Sequence, residues 1–159
     1  MKEGFRMFRM PGSHNPLFPL TIAVICVTGL LPRASALGPT AIGSKPMRIR
    51  IGSKNFSAVL ENNETAAAFK ALLPMKLEMA ELNGNEKYAR LSRNLPTNPA
   101  KPGVIHTGDL MVYGSRTLVL FYKSFPTPYE YTRLGRITDT AGLAEAIGAG
   151  SVTVTFEVE

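Results

Sequence analysis

Aromatic side chains are concentrated in the second half of this 159-residue chain. They are Tyr113, Phe121, Tyr122, Phe125, Tyr129 and Tyr131. A tyrosine combines an apolar ring with a polar hydroxyl, which suits a groove that contacts a ligand and stays wet. Phe125, Tyr129 and Tyr131 flank a loop that contains two prolines, so we expect them near the surface, whereas Phe121 is expected to fill the interior. The pattern favours ligand binding.

His106 is the single histidine beyond the N-terminal region, because the other one is His14. Metal sites that need two histidines or a Cys/His pair are therefore excluded for the rest of the chain. A mixed site of His106, Asp109 and a glutamate has no diagnostic spacing, and a triad of His106, Asp109 and Ser115 lacks the Gly-x-Ser-x-Gly elbow. The favoured interpretation is that His106 is hydrogen-bonded at a strand end and Asp109 forms a turn. No metal or cofactor is predicted.

Glu86 follows the tripeptide Asn83-Gly84-Asn85. One interpretation makes Glu86 a general base beside a site. The other makes the tripeptide a tight turn followed by a solvated glutamate. The turn is the favoured prediction, because Asn and Gly adopt left-handed turn conformations at little cost.

The N-terminal region has the three parts of a secretory signal peptide. Residues 17–31 are largely apolar, residues 34–36 read Ala-Ser-Ala, and the start carries cations at Lys2, Arg6 and Arg9. Cleavage after Ala36 predicts a mature chain that begins at Leu37. The protein is thus expected to be exported to the periplasm or the medium and to touch the membrane only transiently.

Two anchored alternatives fit the N-terminal region less well. An uncleaved anchor needs roughly 20 apolar residues, and this run has about 15 with prolines at its start. A lipid anchor on Cys26 would need a small residue before the cysteine, but Val24 and Ile25 stand there.

The charge of the chain is modest once this leader is set aside. The full sequence has 18 Lys and Arg against 12 Asp and Glu, a net charge of +6. Four of the cations and one of the acids lie in residues 1–36, which leaves 14 against 11, a net charge of +3. The remaining cations are scattered and form no phosphate-binding cluster, so nucleic-acid binding is not predicted.

The first half of the mature chain predicts a spacer, a hairpin, a helix and a strand. Residues 37–46 are rich in Gly and Pro and form the spacer, and a single domain follows over residues 47–159. Apolar residues alternate over 47–60 around Gly52-Ser53-Lys54, which predicts a β-hairpin. A short helix begins near Asn63 and ends before Pro74, and a third strand covers 75–79.

The second half is more strongly β. A Pro-rich loop over 94–103 precedes a hairpin whose strands cover 110–113 and 117–122, and the second of these strands is apolar on both faces. A strand over 131–137, a second short helix capped by Asp139 and stopped by Gly148, and a final alternating strand over 152–158 complete the prediction.

In this order, the motifs resemble those of small bacterial cyclophilin-like fold proteins. The resemblance rests on the helix 65–74, the segment Leu82-Asn83-Gly84-Asn85-Glu86-Lys87-Tyr88, Gly108-Asp109-Leu110, the strand 118–122 and the strand 131–137. It implies a mostly β fold, a closed antiparallel barrel of about eight strands with two short helices capping its ends.

True cyclophilins are prolyl isomerases whose site centres on a Phe-His-Arg signature followed by Phe, Met and Gln and later a Trp. This chain lacks that signature and has no Trp, so no catalytic residue carries over from the family. We therefore expect a binding domain for a peptide or small apolar ligand, without efficient isomerase activity. A divergent prolyl isomerase and a structural or assembly subunit are the alternatives. The candidate ligand contacts are Tyr88, His106, Phe125, Tyr129, Tyr131 and Arg133.

Overall fold

The computed structural model describes residues 46–159. The predicted signal peptide and all but the last residue of the predicted spacer lie outside this range. Within this range the chain forms ten strands and two α-helices, α1 (Glu64–Lys70) and α2 (Leu143–Ile147). The ten strands are β1 (Met47–Ile51), β2 (Lys54–Leu60), β3 (Met75–Leu82), β4 (Glu86–Arg90), β5 (Val104–Ile105), β6 (Asp109–Tyr113), β7 (Thr117–Phe121), β8 (Phe125–Pro126), β9 (Thr132–Ile137) and β10 (Val152–Val158).

Eight of these strands close into one barrel. Their order around it is β1-β10-β3-β4-β7-β6-β9-β2, and every neighbouring pair is antiparallel. The remaining two, β5 and β8, form a short separate ribbon. This architecture confirms the predicted barrel, and its closure leaves no unpaired sheet edge.

The barrel is filled by the inward-facing half of each alternating strand. On β1, Met47, Ile49 and Ile51 are buried while the two arginines between them are exposed. Both helices add buried apolar side chains to the same core, and Phe69 of α1 meets Phe156 of β10 edge to face at 5.9 Å between ring centres. The core thus joins the two helices to the barrel.

Gly135 lies where β9 approaches β2 most closely. A Cβ atom added there would clash with the carbonyl oxygen of Val59. Glycine is therefore required by backbone packing at this crossing, although its own backbone conformation is ordinary.

The predicted N-cap is confirmed for α1 and wrong for α2. Asn63 is the N-cap of α1, because its side-chain oxygen accepts a hydrogen bond from the Ala66 backbone N–H at 2.8 Å. The predicted cap of α2 is wrong: the N-cap is Gly142, and Asp139 instead accepts from the Ala141 backbone N–H at 3.0 Å, in the turn before the helix. A short Asx-type turn competes here with capping.

Strand β7 is buried on both faces, as its sequence predicts. Leu118 and Leu120 point into the barrel core, and Val119 and Phe121 point the other way into a second cluster. That second cluster lies on the outside of the barrel and also contains Ile105, Met111 and Tyr131. Phe121 is therefore fully buried but does not fill the barrel, which corrects the expectation for this residue. The second cluster is covered by the ribbon of β5 and β8 and by the chain that follows β8.

Candidate functional site

An apolar groove of about 380 Å³ lies on the outer face of β4, β6 and β7, beside the second cluster. We call it the aromatic groove. Its lining residues come from the β3–β4 turn, from these three strands and from the segment around β8: Leu82, Asn83, Asn85, Glu86, Tyr88, Tyr113, Thr117, Val119, Phe125, Tyr129 and Tyr131. The volume lies in the lower part of the range for small-molecule sites.

Strand alternation places these side chains on one face. Glu86 and Tyr88 are two residues apart on β4, and Tyr88 is the cross-strand partner of Val119 on β7. Tyr113 of β6 lies opposite Thr117 of β7 in the same way. Successive side chains in a strand point to opposite faces. The residues that alternate with the groove residues along these strands therefore face the barrel interior.

The floor of the groove is made of packed aromatic rings. Tyr131 lies edge to face against Phe121 at 5.5 Å between ring centres, and Phe125 is 5.7 Å from Phe121 on another side. Tyr113 is 5.6 Å from Tyr131. Aromatic pairs at these separations contribute about 0.5–1.5 kcal/mol beyond the area they bury, so these contacts stabilise the floor.

The rim of the groove is open to solvent. Tyr129 is 60 % exposed, Tyr113 is 50 % exposed and Leu82 is 42 % exposed. Tyr131, by contrast, is 7 % exposed and belongs to the floor. The groove thus combines a fixed buried base with large apolar side chains that have no covering segment within residues 46–159.

Glu86 is the one ionisable carboxylic acid in the lining, and it is only 7 % exposed. The expectation that it is solvated is therefore wrong, although the Asn83–Asn85 turn before it is present, with Asn83 and Gly84 both left-handed. Burial, and then the negative charge of Glu81, raise the pKa of Glu86. Burial and then the charge of Glu86 also raise the pKa of Tyr131.

Beneath the turn, a buried lysine is paired on the opposite face of β4. The Lys87 ammonium is fully buried and donates hydrogen bonds to the Glu81 carboxylate and to the carbonyl oxygens of Gly148 and Gly150. Glu81 also accepts from the Tyr122 hydroxyl at 2.9 Å and from the Gly84 backbone N–H at 2.8 Å. This network anchors the turn that borders the groove.

The same network shifts the pKa values of Glu81 and Tyr122 in opposite directions. Burial alone would raise the pKa of Glu81, but hydrogen bonds from Lys87 and Tyr122 outweigh it and lower the pKa. Burial and the hydrogen bond to Glu81 raise the pKa of Tyr122 to about 12. The positive charge of Lys87 is therefore committed to Glu81, and it does not neutralise Glu86.

Four of the six predicted contacts meet in the aromatic groove, and they are Tyr88, Phe125, Tyr129 and Tyr131. The other two, His106 and Arg133, lie around Asp109 instead. His106 Nδ1 and a terminal guanidinium nitrogen of Arg133 are each 3.9 Å from Asp109 Oδ2, which also accepts from the His106 backbone N–H at 2.9 Å. The His106 side chain is 69 % exposed. This is the strand-end turn favoured above for His106 and Asp109.

Neither the mixed metal site nor the triad of His106, Asp109 and Ser115 is assembled within residues 46–159. These residues contain no group of three His, Cys, Asp or Glu side chains placed to hold a metal ion. Ser115 lies in the turn after β6, whereas Asp109 begins that strand, so the two lie toward opposite ends of β6.

A second, larger groove of about 800 Å³ lies between α1, the loop over 94–103 and β9. Arg133 and Tyr131 contribute to its lining. Two hydrogen bonds join its sides: Thr65 donates to the Pro96 carbonyl oxygen, and the Asn98 backbone N–H donates to the Thr132 hydroxyl. These bonds hold the loop onto the barrel.

Sequence reasoning missed Glu86 as a buried group, along with Tyr113 and Asn85 as lining residues. The available signal was the two-residue spacing of Glu86 and Tyr88, which places both on one face of a strand. The Asn85 side-chain oxygen is buried without a hydrogen-bond partner in the described chain.

Comparison with known proteins addresses the fold and the family. A solution structure of a hypothetical protein from Archaeoglobus fulgidus is similar, with 21 % identity, a TM-score of 0.50, and coverage of 76 % of this chain and 100 % of that one. At this identity the likeness shows the fold alone. None of the curated proteins matches the chain. Within residues 46–159, no helix is long and apolar enough to cross a membrane. The model of the cyclophilin-like family matches residues 49–157, and the chain therefore belongs to the cyclophilin-like family.

Proposed function

We propose that this protein is an exported binding domain that holds a peptide or a small apolar ligand in the aromatic groove, without efficient prolyl isomerase activity. Export rests on the signal-peptide pattern of residues 1–36. Binding rests on the groove itself.

The convergence of aromatic side chains from distant parts of the chain carries the proposal. Tyr88 comes from β4, Tyr113 from β6, and Phe125, Tyr129 and Tyr131 from the segment around β8. A buried aromatic floor with an exposed aromatic rim provides contact area at low cost in side-chain entropy, since these rings have few rotatable bonds. If these side chains only formed a core, those on the rim would be buried as well. If they only belonged to the surface, those on the floor would not pack against one another.

The isomerase alternative depends on a donor aimed at the prolyl amide nitrogen. All the lining residues belong to the described chain, and none is Lys, Arg or His. Arg90 lies on the same face of β4, two residues beyond Tyr88, and it is exposed. It is a candidate donor for a divergent isomerase, and Arg90→Ala tests it in an exchange assay on Xaa-Pro peptides. Catalysis that is lost in Arg90→Ala favours the isomerase, and the absence of catalysis in the wild type favours the binding domain.

An assembly role is the third candidate, and the exposed rim is the observation behind it. Leu82, Tyr113 and Tyr129 together form an apolar surface of the kind that protein partners cover. A protein that sediments as a stable oligomer, and loses that state in Tyr129→Asp, would favour assembly over ligand binding.

The proposed function is tested by nitrogen–proton NMR titration with proline-containing peptides and a small-molecule library. One bound ligand perturbs one contiguous patch, so we expect the amides of Tyr88, Tyr113, Phe125 and Tyr129 to shift together. The amide of His106 is the control, because it lies outside the groove. Shifts centred on His106 and Arg133 would contradict the proposal.

Tyr129→Ala should weaken binding by about 1 kcal/mol or more, because an exposed aromatic side chain on the rim acts as an anchor. The fold should be unaffected, since this ring is not packed in either core cluster. Glu130→Ala is the matched control next to it, exposed but outside the lining. Equal binding by wild type and Tyr129→Ala would remove Tyr129 from the site.

A further inference from the structure

We propose that the aromatic groove selects small molecules in which an apolar skeleton carries an ammonium group, held between the Glu86 carboxylate and the faces of the tyrosine rings. This inference rests on the proposed function, because it names the chemistry of the ligand in the same groove.

The arrangement of rings fits a cation. Aromatic faces carry negative charge and attract an ammonium within about 6 Å of the ring centre. Tyr113 and Tyr131 pack against each other at 5.6 Å between ring centres and form one wall, Tyr88 lies two residues from Glu86 on the same strand face, and Tyr129 stands at the open side. Rings on several sides of a small space are the usual means of recognising methylated or alkyl ammonium groups.

The charge balance of the groove points the same way. Glu86 forms no ion pair within residues 46–159, and the lining contains no cation. Lys87 faces the opposite side of β4 and is bonded to Glu81. Arg90 is four residues along the strand from Glu86, about 13 Å. A buried carboxylate is costly unless it is paired, and a ligand ammonium supplies the missing partner.

The size of the groove favours a small molecule as the source of the ammonium. About 380 Å³ encloses a compact ligand, whereas an extended peptide would have to continue over the exposed rim. A lysine side chain has the same ammonium chemistry, so the experiment includes it as a separate arm.

The titratable groups near Glu86 make the pH dependence simple to interpret. Glu81 approaches from β3, Tyr113 from β6, and Tyr129 and Tyr131 from the segment around β8. The pKa of Glu81 is lowered and that of Tyr131 is raised, so neither changes charge in the range where Glu86 does. Binding of a cation should therefore strengthen as the pH rises through the elevated pKa of Glu86.

The test compares choline with its uncharged carbon isostere, 3,3-dimethylbutanol, by NMR titration of the full protein. We expect choline to bind at least about tenfold more tightly, with shifts at the amides of Glu86, Tyr88 and Tyr129, and with an affinity that rises between pH 4 and pH 8. Glu86→Gln should weaken choline about tenfold more than it weakens the isostere. Glu130→Gln makes the same change in net charge outside the groove and should leave both affinities unchanged.

A second pair of variants separates ring electrostatics from simple apolar contact. Tyr129→Phe keeps an aromatic face and should retain choline binding, whereas Tyr129→Leu keeps the apolar contact and should lose most of the preference for choline over the isostere. Because Tyr129 is exposed, both variants should fold. If Glu86→Gln does not fold, the affinities of the wild type for choline and for the isostere are sufficient to test the inference.

Equal affinity for choline and the isostere would overturn the inference while leaving groove binding intact. Choline shifts confined to residues outside the groove would also overturn it. No groove shifts with either probe or with the peptides above would overturn both this inference and the proposed function. Tighter binding of N-acetyl-lysine methylamide than of butylammonium would overturn the assignment to small molecules.

Discussion

Replacement of Lys87 by Met tests whether a buried ion pair holds the turn beside the aromatic groove. The methionine keeps an apolar stem of similar length but removes the three hydrogen bonds of the ammonium to Glu81, Gly148 and Gly150. Lys87 is fully buried, so the replacement removes these donors from the interior without adding new ones.

The expected loss follows from what the variant leaves behind. Removing one partner of a buried ion pair costs about 3–5 kcal/mol. The Glu81 side chain retains 26 % exposure and its bonds from Tyr122 and Gly84, so part of its charge stays solvated and bonded. The two carbonyl oxygens lose a donor at roughly 1 kcal/mol each. We therefore expect the free energy of unfolding to fall by about 3 kcal/mol, the lower end of that range.

Urea unfolding followed by far-ultraviolet circular dichroism at pH 7 measures this loss, because the chain has no Trp to report by fluorescence. Lys76→Met on β3 is the control, since Lys76 is exposed, and it should change stability by less than about 0.5 kcal/mol. The double variant Lys87→Met/Glu81→Gln should regain part of the loss, because no unpaired carboxylate remains. A loss below about 1 kcal/mol for Lys87→Met would refute the reasoning.

Three further predictions concern processing, catalysis and stability. Mass spectrometry of protein from the periplasm or the medium should find Leu37 at the N-terminus, and an intact Met1 in the membrane fraction would contradict export. Because the isomerase signature is absent, exchange of Xaa-Pro peptides should run below about a hundredth of the rate of an ordinary cyclophilin, a barrier about 2.7 kcal/mol higher, and a family-like rate would contradict the binding-domain proposal. The pKa of Glu86 is raised in the folded state, so stability should fall as the pH rises from about 4.3, the unfolded value, through the folded one. Glu86→Gln should remove that fall in urea titrations between pH 4 and pH 8, and a parallel pH profile for variant and wild type would show that Glu86 is not the group responsible.

Most barrel strands could be predicted because one face of each strand packs against the core. Apolar residues therefore recur at every second position of these strands. Strand β4 is the exception. Its residues are Glu86, Lys87, Tyr88, Ala89 and Arg90, and the inward-facing Lys87 is polar where the pattern requires an apolar residue. The lysine is tolerated because Glu81 lies opposite it on β3, a pairing that depends on strand register and not on local composition.

The candidate site was only partly predictable for a similar reason. The clustering of Phe125, Tyr129 and Tyr131 near a proline loop is local, so the sequence indicates it. Tyr131 is nevertheless 7 % exposed and packed on Phe121, which a single sequence does not reveal. Tyr131→Ala would therefore remove part of the second cluster, at about 3 kcal/mol, and it is a poor test of ligand contact.

The position of the groove follows from the two buried faces of β7. In a closed barrel the inward face is satisfied by the core, so apolar residues on the outward face, here Val119 and Phe121, need a separate cover. The ribbon of β5 and β8 and the chain after it provide that cover, but they leave Tyr113 half exposed and Tyr88 only partly buried on the neighbouring strands. The aromatic groove is the uncovered margin of that second cluster. Its floor is packed as a core is, its rim is exposed because the cover stops there, and the buried Glu86 belongs to its lining.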